Sequence, residues 1–159
     1  MSGVTVTFRI AAALKDAFAV NAALSAIDVT SGPVAGERDP REWIQIGRPR
    51  VTRTPRTITG QPMGGHDEDG TVPVMVLASA DGRGEEAIVR LRERMEELIG
   101  AVEAALAADF TLGGIVRWAY VSALAEQDQG IEPPPAAGHW MTVELTVSFA
   151  ARVYPGVAT

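Results

Sequence analysis

The densest group of side chains able to do chemistry is His66-Asp67-Glu68-Asp69-Gly70. Three carboxylates beside an imidazole could hold a cation or share a proton. A calcium loop, however, spaces its oxygens at alternating positions and closes with a glutamate further on, and Val76 to Ala80 supplies none. Acidic residues running into a glycine are also the composition of a solvated turn, and the segment is read as one. His66 and His139 are the only histidines. Either could serve as a base toward a serine, but no G-x-S-x-G turn is present to expose a nucleophile. The lack of cysteine removes disulfides, thiolate nucleophiles and thiolate-bound zinc together. No catalytic residue, metal ligand or cofactor is assigned, and the chain is not expected to be an enzyme.

Gly82-Arg83-Gly84 precedes a helical segment and faintly resembles a phosphate loop, but neither the G-x-x-x-x-G-K-[ST] nor the full G-x-G-x-x-G spacing is there. Its plainer meaning is a flexible lead-in to the helix. Gly113-Gly114 is most simply a helix stop. The one basic concentration is Arg48, Arg50, Arg53 and Arg56. No aromatic is interleaved with these arginines, so base stacking is not supported. They suit a guarded strand edge or, slightly better, a contact that pairs with carboxylates of another subunit or partner. Trp43, Trp118 and Tyr120, aromatics expected on strands, join them as candidate interface residues, because aromatics are enriched where proteins meet.

The elements that must carry these residues follow from periodicity. Phe8, Ala11, Leu14, Ala17, Phe18 and Leu24 recur at helical steps in an alanine-rich stretch, which predicts a helix over Val6–Leu24. Ile27 to Thr30 and Glu42 to Gly47 read as short strands, the second setting Ile44 and Ile46 opposite Trp43 and Gln45. Gly36, Asp39 and Pro40 form the loop between them. Residues 48–70 hold three prolines and no sustained period, and are expected to form a flexible, projecting arm or hairpin. Val72 to Leu77 is a strand. Ile88, Leu91, Met95, Leu98, Val102 and Leu106 then make one apolar stripe, predicting a helix over Glu85–Ala107 with Glu86–Arg90 and Arg92–Glu96 pairs on its wet side. Ile115 to Leu124 is a strand, Gln127 to Gly138 a loop with prolines at 133–135, and Met141 to Val153 a strand alternating apolar with polar residues.

Together these give an α+β fold: two helices on one face of a mostly antiparallel sheet, in one domain spanning 1–159. The chain has 159 residues, 47% of them hydrophobic, enough for one core. No run of eighteen apolar residues exists, so no membrane contact is expected. Arg9, Lys15 and Asp16 interrupt the N-terminal apolar stretch, which argues against a signal peptide and for assembly in the cytoplasm. A net charge of −6 argues against a dedicated nucleic-acid binder.

The order of segments resembles the tail terminator, or tail-completion, proteins of bacteriophages with long non-contractile tails. The likeness runs through AALKDAFAVNAALSAI, DVTSGP, EWIQIG, EEAIVRLRERMEELIGAVEAAL, DFTLGGIVRWAYVSALAEQ and WMTVELTVSFAARV, and covers most of the chain. It is one of pattern, and it transfers no functional residue. It implies a structural virion protein located in the tail or neck, forming a homo-oligomeric ring, commonly a hexamer. Such a ring caps the tail tube, stops its polymerisation and meets the head-tail connector, with DNA only passing through. The arm at 48–70 is longer and richer in proline than the plainest members imply. Two alternatives stand beside it: another neck or tail component, and a small ligand-binding or enzymatic domain with a pocket under the arm.

Overall fold

The computed structural model describes residues 5–32, 41–58, 60–131 and 138–154. The expected turn at Gly36, Asp39 and Pro40, the prolines at 133–135 and Thr59 lie outside the described residues. In chain order the elements are a 3-10 turn Val6–Phe8, α1 (Ile10–Ala19), β1 (Asp28–Ser31), β2 (Glu42–Ile46), β3 (Arg50–Ile58), β4 (Gln61–Asp81), α2 (Glu85–Ala108), β5 (Trp118–Ile131) and β6 (Gly138–Val153). The strands form one six-stranded sheet in the order β1-β2-β4-β6-β5, with β3 also on β4. Every pairing is antiparallel except β1 with β2. Both helices lie on one face, so the α+β, two-layer reading holds.

The core is built from the expected stripes. α2 buries Leu91, Met95, Leu98, Val102 and Leu106, and α1 buries Ile10, Leu14 and Phe18. They meet Ile44 and Ile46 of β2, Val72, Val74 and Val76 of β4, and the alternate residues of β6 from Met141 to Phe149. Glu85 and Glu86 occupy the first turn of α2, where negative charge suits the helix dipole. The pairs Glu86–Arg90 and Arg92–Glu96 do not form; exposed long side chains gain little from such pairing. Arg90 Nη2 donates instead to the Asp81 carbonyl at 2.9 Å. Arg94 forks onto both carboxylate oxygens of Glu42, at 2.7 and 2.9 Å, and so ties α2 to β2. That fork and the Glu97 carboxylate raise the Arg94 pKa further.

Three boundaries differ from expectation. The N-terminal helix is shorter: after the 3-10 turn, α1 ends at Ala19, because the Asn21 side chain accepts from Ala23 N at 2.9 Å and supports a turn in place of a further helical one. The segment 48–70 does form the projecting hairpin expected as one of its two shapes, but a more regular one than its lack of period suggests. It joins β3 to the first half of a β4 that is 21 residues long. Pro55 is tolerated because β3 is an edge strand, and a bulge at Arg56 follows it. Finally, β5 starts at Trp118 and continues through Ile131, well into the expected loop.

The hairpin projects. The last pair between β4 and β6 is His66 with Val153, so Gln61 to Gly65 pair with β3 alone where they pair at all. Five residues of strand reach about 17 Å. The margin of the sheet on this side is also stepped. β2 and β3 both pair with the same edge of β4, at its second and first halves, and β1 stands one strand further out on β2.

Candidate functional site

The acidic cluster, read from sequence as a solvated turn, lies in the middle of β4, and alternation splits it between the two faces. Asp67 faces the open side, where it accepts from Arg152 Nε at 2.8 Å. Glu68 faces the helices and is fully buried. Its carboxylate accepts from Thr5 Oγ1 at 2.6 Å, Val6 N at 3.0 Å and Arg53 Nε at 3.1 Å, and pairs with His66 Nε2 at 2.9 Å. Burial pushes its pKa up, but the bonds from Thr5, His66 and Val6 and the charge of Arg53 outweigh burial and hold it below 4.5. Glu68 is thus a hub that fastens the 3-10 turn to the hairpin.

The hub is not a catalytic triad, in which the imidazole stands between hydroxyl and carboxylate. Here the carboxylate stands between them, and Thr5 Oγ1 is bonded to Glu68 and not to His66. His139 is at the far end of β6, opposite Ala80, and is buried with no hydrogen-bond partner for Nε2 among the described residues. Among those residues no group of three or more His, Asp or Glu side chains is placed to hold a metal ion.

Because folding lowers the Glu68 pKa, the unfolded chain binds the proton more tightly, and acid must cost stability. The contribution is complete well above pH 4.5 and is lost as pH falls through the lower folded value. Glu68→Gln should destabilise the protein by about 1–3 kcal/mol at pH 7. Thermal melts from pH 7 to 3 should show that gap narrowing as the wild type loses its advantage. A constant gap would mean that Glu68 is not the group responsible.

The arginines of the hairpin divide. Arg48 and Arg50 are exposed, Arg53 turns to Glu68, and Arg56 lies over the Tyr154 ring at 5.4 Å. Trp118 and Tyr120 stack in a tilted pair at 5.4 Å on the open face, 38% and 53% exposed. Arg50 and this pair line one shallow groove of about 450 Å³ that crosses the sheet with Thr52, Asp69 and Ser148. Trp43 is half-buried opposite Leu77, at the other end of β4, and does not join them. The structure therefore collects three of the seven candidate residues. On its helix side, the space beneath the hairpin is filled by the Glu68 hub and Val51; the groove lies on the opposite side. A larger hollow of about 700 Å³, between α1 and the end of α2, is lined by alanines, Leu112 and Ile115 together with Arg9, Asp16 and Asp109.

No protein-family model matches this chain. No curated protein matches it either. Among solved structures, a chain from the virion of a native gene transfer agent (GTA) particle is similar over 91% of this chain and 94% of its own length, with 16% identity and a TM-score of 0.41.

Proposed function

We propose that this chain is a structural subunit of a phage-type virion, acting as a tail terminator. Its copies form a ring on the end of the tail tube, stop the tube's growth and offer the opposite face to the head connector. DNA only passes through. The observation that carries the reading is the projecting hairpin of β3 and β4 beside a sheet whose long margins carry no further strand among the described residues. An arm about 17 Å long, held rigid at its base by a buried carboxylate hub, is built to reach another molecule. The groove beside it offers an arginine and a stacked aromatic pair, side chains common where proteins meet.

The test is made in the particle. Virions assembled without this chain should carry tails of irregular length and no attached heads, and adding back purified protein should restore uniform tails. Uniform tails in its absence would reject the terminator role and leave the other neck or tail positions.

A further inference from the structure

The sheet has two long free edges, and they are unlike. Among the described residues no strand pairs with the outer edge of β3 or of β5. β5 is 14 residues long and contains no proline, lysine or arginine, the residues that usually guard such an edge. Its only charges are Glu126 and Asp128. Leu124 and Ile131 lie on its helix side, opposite Leu145 and His139, and are 60% and 58% exposed, with no helix over them among the described residues. The β3 edge is basic. Arg48 and Arg50 are exposed and form no ion pair among the described residues, and Arg56 follows on the same strand.

We propose that copies of this chain join head to tail through one continuous sheet, the distal half of β5 on one copy adding to the β3 edge of the next. The inference rests on the reading of the chain as a self-assembling subunit, and names the contact. Like edges are disfavoured: two β3 edges set arginine against arginine, and two β5 edges set Glu126 and Asp128 against each other. Unlike edges attract, which selects a head-to-tail contact over a two-fold one.

Strand direction agrees. β3 is antiparallel to β4, β4 to β6 and β6 to β5, so β5 runs opposite to β3. Two copies side by side in the same orientation therefore meet in an antiparallel ladder, the more stable kind. The stepped margin supplies the register. A neighbour's β5 reaches β3 only when slid toward the hairpin, clear of β1, and that slide brings its distal half alongside β3. Glu126 and Asp128 then lie by the arginines. Phe8, 80% exposed and held on the helix side of the hairpin by the Glu68 hub, stands on the same face as Leu124 and Ile131 and can cover them.

Charge reversal tests the contact. Arg48→Glu with Arg50→Glu, and Glu126→Arg with Asp128→Arg, should each weaken self-association about tenfold or more in light scattering at low salt, and an equimolar mixture of the two variants should recover it. The chain has no cysteine, so introduced thiols report without background. Copies bearing Thr52→Cys or Thr54→Cys, on the open face of β3, should cross-link to copies bearing Ala125→Cys or Asp128→Cys, on the open face of β5, and neither set should link to itself. A wild type that assembles, with variants that assemble equally and never cross-link across the sets, overturns this contact and leaves the subunit reading standing. A wild type that stays monomeric at every concentration and on isolated tail tubes overturns both.

Discussion

Replacing residues 56–65 by Asn-Gly should leave a folded protein that still self-associates but no longer caps a tail. Pro55 and His66 face each other in the hairpin register, so a two-residue turn can close the shortened strands without shifting them. The cut keeps Arg53 on Glu68 and preserves the β3 edge from Arg50 to Thr54. It removes no side chain described as buried. The stacking of Arg56 on Tyr154 goes with the tip, and at an exposed site it is worth about 0.5–1 kcal/mol. Melting temperature should therefore barely change, while tails measured by electron microscopy should lose their uniform length. Normal tails would show that the tip is dispensable. An unfolded product would show that the hairpin belongs to the core.

Leu98→Ala should give the largest loss of stability, about 2–5 kcal/mol. Leu98 is 1% exposed, at the centre of the stripe by which α2 packs on the sheet. Domains of this kind are stable by only about 5–15 kcal/mol in total, so a loss of that size should be plain in denaturant melts. Val89, 47% exposed on the same helix, is the matched control. Val89→Ala should change stability by less than about 0.5 kcal/mol. Equal effects at the two positions would mean that α2 does not pack by the Leu91–Leu98–Val102 face.

The parts of the fold that were legible in the sequence are those with one dry and one wet face. Leu91 to Leu106 at helical steps, Ile44 with Ile46, and Met141 to Phe149 at alternate positions all point where their spacing says. The regular pairing of the hairpin and the full length of β5 were not legible because neither has that contrast. In β3 the side chains described are all exposed or half-buried, and three of them are arginine. In β5 nearly every residue past Val121 is exposed, and bulges near Ser122 and Gln127 break the alternation. The Glu68 hub did leave a trace. Positions 68, 70, 72, 74 and 76 share one parity, so continuing the strand at Val72 backward puts Glu68 on the buried face. Gly70 marks the same path: a Cβ there would lie 2.6 Å from the Arg50 carbonyl and 2.7 Å from Phe149 Cζ, and a glycine inside a strand often signals such a close approach. What no spacing could show is which side chains gather across the sheet, as Arg50, Trp118 and Tyr120 do along one groove.

The step between β1 and β3 has a consequence for size. In any closed barrel of strands, the offset between first and last strand and the number of strands together set the tilt and the radius. In a closed ring of these sheets the offset per copy would be fixed by how far β1 overhangs β3, a length written into a single chain. The width of the lumen would then be a property of the monomer, measured out before any neighbour arrives. Shortening β1 would change the pitch at every junction at once, and with it the number of copies that close the circle.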